Sequence, residues 1–483
     1  MTAARRLWDV VLLATICLSG HANAADLRSK SAEQMPPPVP PDCFSSLWTY
    51  LSSSVDDCPL TYAGFTVYGT LDGGYGYETH GVPGNPSAGK VNYGIQKNSN
   101  NTHWLWSPNA LSTSVIGLKM NEDVGYGWSL IGVVEAGFDP YSGMLINGPR
   151  SRADNNINAL ANQTANYNST SAGQWDNSQG FVGFSNPVYG RLTFGRTNSL
   201  SQDALSSYDP VASTAFSPLG FSGSFAGFGN SPTVRPNTAF TYRLSVGNFR
   251  VAAQAQVGGY AIGNASNGQY QGQIGADFGD LSLDGVVNWT KDAVSLSSYS
   301  GSPPEGYDVN SVLKATLSNS AGVELMVRYT WGPFRFYGGY IYARLMNPSD
   351  DYANGFPTIA EGVFVPPGAA TSNAYTVNRI LNSMWTGVRY SVWSNLDLSA
   401  GVYYRTQNDY LPAPSVCTGT GASISSSKCA GSSGAASLLI DYKPVKRVDV
   451  YAGVMVSNVW GGLADGHLYT QNVDPTVGLR IRF

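Results

Sequence analysis

The side chains that could do chemistry in this sequence are mostly charges, placed at every second position of alternating segments. Lys119, Glu135 and Arg243 each fall on the polar positions of such a segment, and the opposite positions carry almost no charge. Charges confined to one face of a strand set up an electric field over a wetted surface. Such a field acts on ions and polar molecules, and it supplies no nucleophile for covalent chemistry.

A further pair of carboxylates, Asp203 and Asp209, lies in the long stretch 198–236, which mixes aliphatic and aromatic residues with small ones. A fully solvated loop has no need of so many apolar side chains. We therefore expect this loop to fold inward and pack on a wall of strands. It would then present both carboxylates to the space that the wall encloses.

Strands must hold these side chains, and period-two alternation predicts strands along most of the chain. The segment "VDVYAGVMVS" sets Val448 and Val450 against Asp449 and Tyr451, as expected for a strand with one apolar face. Sixteen such segments occur, at 64–78, 112–121, 127–138, 178–187, 190–197, 237–247, 248–258, 269–279, 280–292, 322–331, 334–346, 381–392, 395–408, 434–443, 446–459 and 473–483.

The connections between these segments alternate in length. The tight ones are Gly247-Asn248, Gly279-Asp280, Gly332-Pro333 and Ser394-Asn395, and the long ones include 139–177, 198–236 and 347–380. This alternation is typical of a transmembrane β-barrel, in which a lipid-facing arginine at the midplane would cost ~2–4 kcal/mol. We predict an all-β, 16-stranded antiparallel transmembrane barrel with short periplasmic turns, long external loops and an inward-folded third loop.

The C-terminal stretch "TVGLRIRF" is itself an alternating strand, with Arg480 and Arg482 opposite apolar neighbours. A strand at a chain end frays unless something ties it down. We expect it to pair with the first strand, 64–78, and so close the cylinder. Phe483 would then lie at the periplasmic rim, and the arginines would face the lumen.

The N-terminal region reads as an export signal followed by a spacer. Arg5 and Arg6 precede the apolar run "VVLLATICLSG" and the sequence "ANA", which predicts a signal peptide at 1–24. No later apolar run approaches the ~18 residues that a membrane helix needs. We expect a Pro-rich periplasmic segment at 25–63 and the barrel at 64–483. The net charge of −4 gives no basic face for nucleic acid.

The cysteines after the signal peptide form two close pairs, Cys43 with Cys58 and Cys417 with Cys429. An exported protein meets an oxidising compartment, which favours disulfides. The predicted topology puts the first pair on the periplasmic side and the second pair in an external loop. Bridges within each pair are therefore expected, with reduced thiols as the remaining alternative.

Several motifs in this order resemble the trimeric general-diffusion porins of Gram-negative bacteria. They are "VYGTLDGG", "FVGFSNPVYGRLTFGRTNS", "RPNTAFTYR" and "GLRIRF", and the resemblance covers nearly all of the chain after Gly64. It implies a homotrimer in the bacterial outer membrane, surrounded by lipid and lipopolysaccharide, with no cofactor. In that family the third external loop folds into the pore, and its carboxylates face a ladder of basic residues.

Carried onto this sequence, the family pattern places Arg235 at a basic constriction position, with Arg243 on the same lumen-facing phase. Asp203 and Asp209 lie in the matching loop, and Glu135 corresponds to an acidic lumen position. The resemblance thus implies a pore constriction with arginines on one side and carboxylates on the other.

Arg196, in "FGR", matches a family arginine near the subunit interface. Other family positions are not filled as expected, because Thr70, Val115 and Ser178 stand where well-known enteric members have basic residues. The field across the constriction is therefore expected to be weaker, or built from other wall residues. The candidates are Lys119, Arg250 and Arg405.

The function expected is that of an outer-membrane porin. It would be a water-filled channel for passive diffusion of small hydrophilic solutes and ions, constricted by loop 198–236. A substrate-specific channel for sugars or carboxylates is the main alternative, which a ladder of lumen aromatics would favour. Aromatic lumen positions are scattered and form no clear ladder: Tyr68, Tyr337, Tyr403 and Tyr451.

Two classes outside transport are less favoured. A structural or adhesion barrel would be marked by a large passenger or cell-wall domain, and only the short segment 25–63 is available for that role. An enzyme needs a nucleophile and a base within reach of each other. His80, His103 and His467 fall in predicted external loops, without the spacing of a catalytic triad.

Overall fold

The structure is a computed structural model that describes most of the barrel and part of the connecting loops. The described residues are 42–80, 102–141, 143, 178–220, 235–236, 238–256, 268–295, 316–347, 359–360, 363–364, 377–410, 417–418, 425–426, 429–464 and 469–483. One compact unit runs from Cys43 to Phe483. The predicted signal peptide and most of loop 139–177 lie outside the described residues.

The described chain is almost entirely β. Its α-helices are α1 (Leu47–Ser52) and α2 (Leu200–Tyr208), with 3₁₀ turns at Pro218–Gly220 and Gly462–Ala464. Its strands are β1 (Leu60–Tyr62), β2 (Phe65–Glu78), β3 (His103–Pro108), β4 (Ser114–Gly125), β5 (Trp128–Phe138), β6 (Gln179–Asn186), β7 (Gly190–Arg196), β8 (Ala239–Val246), β9 (Phe249–Gln256), β10 (Gln269–Phe278), β11 (Leu281–Ser295), β12 (Thr316–Trp331), β13 (Phe334–Met346), β14 (Ile359–Ala360), β15 (Val363–Phe364), β16 (Arg379–Trp393), β17 (Leu396–Gln407), β18 (Cys417–Thr418), β19 (Ser425–Ser426), β20 (Gly431–Val445), β21 (Val448–Gly461) and β22 (Gln471–Arg482). No described helix is long and apolar enough to span a membrane.

Sixteen of these strands form a closed antiparallel barrel, and all sixteen predicted segments are confirmed. The wall strands are β2, β4–β13, β16, β17 and β20–β22. The last strand pairs with the first, from Thr70 opposite Arg482 to Gly76 opposite Thr476. Phe483 completes the seam, because its backbone exchanges hydrogen bonds of 2.9 and 3.0 Å with Gly69. The predicted closure is confirmed.

The two faces of the wall differ as the alternation requires. On β2, Val67 and Leu71 are exposed on the outside, whereas Asp72 is fully buried on the inside. Arg480 lies on the inside too, where its Nε donates to Asp449 Oδ2 over 2.9 Å. In the described part of the chain, exposed apolar side chains of this kind line the outside of every wall strand. An exposed apolar surface of this extent is favourable against lipid or against the apolar surface of another protein.

Aromatic side chains mark both ends of this apolar surface. One end carries the tight turns and the chain terminus and is named the turn rim; its exposed aromatics include Tyr126, Tyr189, Phe249, Phe278, Trp331 and Trp393. The opposite end has Tyr75, Trp104, Trp106, Tyr270, Trp289 and Trp460. From Phe65 to Tyr75, ~3.3 Å per residue and a tilt of ~40° give a height of ~25 Å. That is the hydrophobic thickness expected for a barrel of the outer membrane.

The tight turns lie where the sequence predicts them. Gly247, Gly279 and Gly332 adopt φ values of 57°, 61° and 55°. A left-handed backbone of this kind favours glycine, since a Cβ would be strained there. Turn dipeptides thus set the register of neighbouring strands at the turn rim.

Some short strands were not predicted. β3 pairs with the half of β2 that is farther from the turn rim, from Gly73 opposite Pro108 to Glu78 opposite His103. β4 pairs with the half of β2 that is nearer to the turn rim. The hairpins β14–β15 and β18–β19 stand apart from the barrel sheet. These pieces are too short to show a recognisable alternation, which is why the sequence reads them as loop.

The N-terminal foot, residues 43–62, packs on the turn rim. A disulfide joins Cys43 to Cys58, as predicted. Arg447, in the β20–β21 turn, is fully buried, and its Nη2 donates to the carbonyl oxygens of Ser54 and Cys58 over 2.8 and 2.6 Å. The compact unit begins at Cys43, because the foot is docked and β1 joins the barrel sheet. The division of the chain into a segment at 25–63 and a barrel at 64–483 stays a prediction.

The second predicted disulfide is described only at one end. Cys429 is disulfide-bonded and buried. The side chain of Cys417 lies outside the described residues, so the Cys417–Cys429 pairing remains a prediction.

Candidate functional site

The inner loop, residues 197–220, lies inside the barrel and begins with helix α2. Ser199 caps this helix, because its hydroxyl accepts the backbone N–H of Gln202 over 3.0 Å. Leu200, Leu205 and Tyr208 on one side of α2 are buried. The predicted inward fold of the loop is therefore observed.

The buried side of the inner loop packs on apolar side chains that point into the barrel. Loop and wall share one hydrophobic cluster, whose loop members include Leu200, Leu205, Tyr208, Val211, Phe216 and Leu219. Its wall members include Val286, Met326, Ile341, Trp385, Tyr403, Leu439 and Tyr451. Many lumen positions are thus apolar or aromatic where the loop covers them, including the predicted lumen aromatics Tyr403 and Tyr451.

Wall side chains hold the main chain of the inner loop at successive points. Trp385 Nε1 donates to the carbonyl oxygen of Tyr208, and Arg389 Nη2 to that of Pro210, each over 2.9 Å. Ser437 Oγ donates to the carbonyl oxygen of Phe216. The loop therefore follows the wall from β16 to β20.

The far part of the loop meets an inward turn at residues 109–113. The backbone N–H of Ala215 donates to the carbonyl oxygen of Ala110 over 2.8 Å. Asp72 braces that turn by accepting the N–H groups of Leu111 and Ser112, each over 2.7 Å. Tyr451 Oη donates to the same carboxylate over 2.7 Å. Asp72 is thus a structural acceptor, although it lies on a lumen position.

Asp209 does not lie where the sequence analysis placed it. Only 1% of its surface is exposed, and its carboxylate accepts Tyr403 Oη and the N–H of Ser213, each over 2.6 Å. Burial raises the pKa of Asp209, and these hydrogen bonds oppose the shift. Asp209 therefore fastens the loop to β17 instead of facing the water-filled lumen, because the loop turns toward the wall directly after α2.

Asp203, Arg235 and Arg243 lie close together at the base of the inner loop. Arg243 Nη2 forms an ion pair of 2.5 Å with Asp203 Oδ2, and both side chains remain more than a third exposed. Asn198 joins the other arginine to the group, since its Oδ1 accepts Arg235 Nε over 3.1 Å and its Nδ2 donates to Asp203 Oδ1 over 2.9 Å. One carboxylate thus links two arginines at the base of the inner loop.

Arg191 is a third arginine of this group, which the sequence analysis did not name. It lies directly opposite Arg243 on β7, and its guanidinium lies 5.1 Å from the centre of the Phe181 ring. Arg191, Asp203 and Arg243 line a cavity of about 110 Å³ together with Gln179 and Asn198. The polar alternation of β7 could have revealed it. Arg191, Arg235 and Arg243 are called the basic cluster below.

Glu135 and Lys119 lie beside the basic cluster on the neighbouring strands. Glu135 is mostly buried and accepts Tyr68 Oη over 2.9 Å and Ser178 Oγ. Lys119 is exposed, with its Nζ 5.8 Å from the centre of the Tyr68 ring. Burial lowers the pKa of Arg235, and the charges of Glu135 and Asp203 oppose that shift. Glu135 therefore acts on the cluster through its charge while its oxygens are held by the wall.

Arg196 is not available at the outer surface. Its side chain is only 3% exposed, and its Nη1 donates to the carbonyl oxygen of Arg235 over 3.1 Å. Gly195, with φ at 135°, interrupts the regular strand just before it. The structure thus gives Arg196 a role in seating the base of the inner loop, which differs from the predicted contact with a neighbouring subunit.

Arg250 was a further candidate to contribute to the electric field across the lumen. In the structure its guanidinium is held by side chains of the wall and of the inner loop. Its guanidinium pairs with Asp277 and Asp284 and donates to Tyr208 Oη over 2.6 Å. Its charge is balanced by these carboxylates. The described charged residues thus divide into anchors of the inner loop and a group open to solvent, which consists of Arg191, Asp203 and Arg243.

The site has two features that can limit which solutes pass, the width left beside the inner loop and the charge of its side chains. Neither feature involves a cofactor. The inner loop takes up part of the cross-section, and the basic cluster with Asp203 presents charge to what remains. The described residues contain no group of histidine, cysteine or carboxylate side chains that could hold a metal ion.

The chain was compared with known families, curated proteins and solved structures. A family model described as Gram-negative porin matches residues 10–459. No curated protein gives a match. Similar solved structures include an anion-selective porin from Comamonas acidovorans, with 15% identity and a TM-score of 0.54 over 87% of this chain and 99% of that chain.

OmpT, an outer membrane protein of Vibrio cholerae, has 15% identity and a TM-score of 0.50 over 88% of this chain and 99% of that chain. One structure of that protein is described as a trimer form. OmpF of Salmonella typhi, in complex with daunomycin, has 12% identity and a TM-score of 0.50 over 88% of this chain and 99% of that chain. At these identities the likeness concerns the fold.

Proposed function

Since the chain belongs to the Gram-negative porin family, we propose that its inner loop and basic cluster determine which solutes diffuse through the barrel. As a member of this family it is a channel protein of the bacterial outer membrane, and solutes pass through it by diffusion. The family consists of channels rather than enzymes. What needs to be explained is the size limit and the preference for one sign of charge.

The observation that carries the proposal is the position of the ion pair between Arg243 and Asp203. Both side chains are open to solvent, and they join the base of the inner loop to the wall beside a cavity that Arg191 also lines. Solvated charges in a narrow, low-dielectric passage act strongly on ions that pass through it. A passing ion therefore experiences the charge of these groups, whereas the anchored carboxylate of Asp209 is buried.

The sign of the preference follows from the charges near the inner loop. Arg191, Arg235 and Arg243 outnumber the carboxylates of Asp203 and Glu135. The stretch "FSGSFAGFGNSPTV", residues 221–234, adds no charged residue to this balance. The local field is therefore positive, and we propose a weak preference for small anions over cations.

Single-channel recording in a planar bilayer tests the proposal. We expect a large, ohmic conductance, and under a salt gradient a reversal potential of the sign that favours anions. A small conductance that one class of solute blocks would support a substrate-specific channel for sugars or carboxylates instead. No conductance from a folded barrel would overturn the transport function and favour a structural barrel.

We further propose that the protein is a homotrimer embedded in phospholipid and lipopolysaccharide. The support is the family membership and the continuous apolar outer surface, which can face either lipid or another subunit. Conductance steps that open in threes, together with a trimer mass in detergent, would support this assembly. Single steps and a monomer mass would contradict it.

A further inference from the structure

The N-terminal foot exposes an apolar surface that the barrel does not use. Its helix α1, "LWTYLS", carries four apolar or aromatic residues among six, and Thr49 and Ser52 are the polar ones. Tyr50 and Leu51 on one side contact the β20–β21 turn, where Arg447 lies 4.0 Å from the centre of the Tyr50 ring and its N–H donates to Leu51 O. On another side Leu47 and Trp48 are 73% and 68% exposed. Large apolar side chains that are exposed together mark a surface of contact with a membrane or another molecule.

The foot is rigidly attached, so its exposed surface has a fixed place on the molecule. The disulfide between Cys43 and Cys58 closes it, and the buried guanidinium of Arg447 donates to the carbonyl oxygens of Ser54 and Cys58. Lys446 adds an ion pair with Asp57 at 3.5 Å. The position of α1 is therefore fixed by the turn rim.

The surface of the foot continues the lipid-facing surface of the barrel. Strand β1 pairs with the start of β2, with Tyr62 directly opposite Phe65 and Leu60 opposite Val67. Directly opposite residues in an antiparallel pair point to the same face. Phe65 and Val67 are on the outside of the barrel, so Tyr62, 87% exposed, adds to that outside face at the turn rim.

The chemistry of the exposed residues fits a lipid interface better than a charged partner. Phe44, Leu47, Trp48 and Tyr62 carry no charge, and Phe44 stacks on Tyr50 with ring centres 5.8 Å apart. Tryptophan and tyrosine are enriched where a membrane meets water, because their rings are apolar at one end and polar at the other. The foot also carries two acidic residues: Asp57 pairs with Lys446, and Asp56 is exposed beside it.

We propose that the N-terminal foot is an interfacial anchor that inserts these side chains into the periplasmic leaflet of the outer membrane. Its ligand is the headgroup region of a zwitterionic phospholipid, since the exposed surface offers aromatic rings and no cluster of positive charge. The anchor fixes the depth of the turn rim in the membrane. It is separate from solute passage and does not depend on the proposed selectivity.

The test measures whether lipid reaches Trp48. Wild type and Trp48→Phe, both as full-length folded barrels, are reconstituted in phosphatidylcholine vesicles with or without bromine on the upper acyl chain. The difference between the two emission spectra isolates Trp48. We expect brominated lipid to remove at least half of this emission, and a soluble quencher such as iodide to remove little of it.

Trp331 provides the matched reference, because it is 65% exposed on the lipid face at the same rim. The spectrum isolated with Trp331→Phe should show the same pattern of quenching. If brominated lipid quenches Trp331 but leaves Trp48 unchanged while iodide quenches Trp48, the foot faces water and the anchor is excluded. A protein or cell-wall partner would then be the alternative occupant.

A second variant tests the attachment. Arg447→Met removes the donors that hold Ser54 and Cys58, and the β20–β21 turn can still form, because its backbone is unchanged. We expect the lipid quenching of Trp48 to weaken while that of Trp331 stays the same. Unchanged quenching of Trp48 in this variant would show that Arg447 does not position the anchor.

Discussion

At the scale of single residues, our proposal assigns the charge that a solute meets to the ion pair of Arg243 and Asp203. Arg243→Gln removes the cation that pairs with Asp203. Asp203→Asn removes the carboxylate charge that pairs with Arg243. We expect the first change to lower the ratio of anion to cation permeability by roughly twofold or more, and the second to raise it. The reversal potential under a salt gradient measures both.

Arg335→Gln is the control for this prediction. Arg335 is also exposed on a lumen position, but it lies beside the β12–β13 turn at the rim, away from the basic cluster. Its replacement removes the same charge and should leave the permeability ratio nearly unchanged. Equal effects of Arg243→Gln and Arg335→Gln would show that total lumen charge, rather than the site, decides selectivity.

A second residue-scale prediction concerns the buried carboxylate of Asp209. Tyr403→Phe removes the hydroxyl that donates to it over 2.6 Å. A buried acceptor that loses its donor costs ~1–3 kcal/mol, so we expect a lower midpoint for urea unfolding. Tyr404→Phe, at the adjacent outward-facing position, should have no such effect. If both variants unfold at the wild-type midpoint, Asp209 is not an anchor of the loop.

At the scale of elements, the strands could be predicted from the sequence and the contacts of the inner loop could not. Alternation over ten or so residues, with turn glycines such as Gly247, determines each strand and its register. The inward fold of the loop was visible in its apolar composition. The direction in which the Asp209 side chain points could not be predicted from the sequence. The change of chain direction after α2 depends on wall residues such as Tyr403 that are remote in sequence.

The wall glycines that accommodate the inner loop give an element-scale prediction. A Cβ built on Gly453 would lie 2.7 Å from the ring of Phe216, and the nearest atoms to it belong to that ring alone. Gly453→Ala should therefore push Phe216 and the loop off the wall and change the single-channel conductance. Liposome swelling with sugars of increasing size measures whether the passage narrows or widens.

Gly272→Ala is the control, since its Cβ would meet Val287 at 3.5 Å, an ordinary contact. It places the same methyl group on a barrel strand without touching the loop. If Gly453→Ala conducts and excludes solutes like Gly272→Ala, the packing of Phe216 does not set the position of the loop.

At the scale of the whole molecule, the seam between β2 and β22 decides whether the barrel closes. Deletion of Phe483 removes its backbone hydrogen bonds with Gly69, and at ~1 kcal/mol each these contribute ~2 kcal/mol. We expect the truncated barrel to lose its folded gel mobility at a lower temperature than wild type. Phe483→Leu keeps the backbone bonds and should lie closer to wild type; an unaltered truncated barrel would show that the seam tolerates an open end.

The attachment of the inner loop also bears on how such a channel can diverge. Trp385, Arg389 and Ser437 hold carbonyl oxygens of the loop. Every residue type supplies a carbonyl oxygen, so substitutions in the loop do not remove these three attachments. Substitutions in the loop can therefore change the side chains around the passage, and with them the permeability, while the wall residues that hold the loop stay the same.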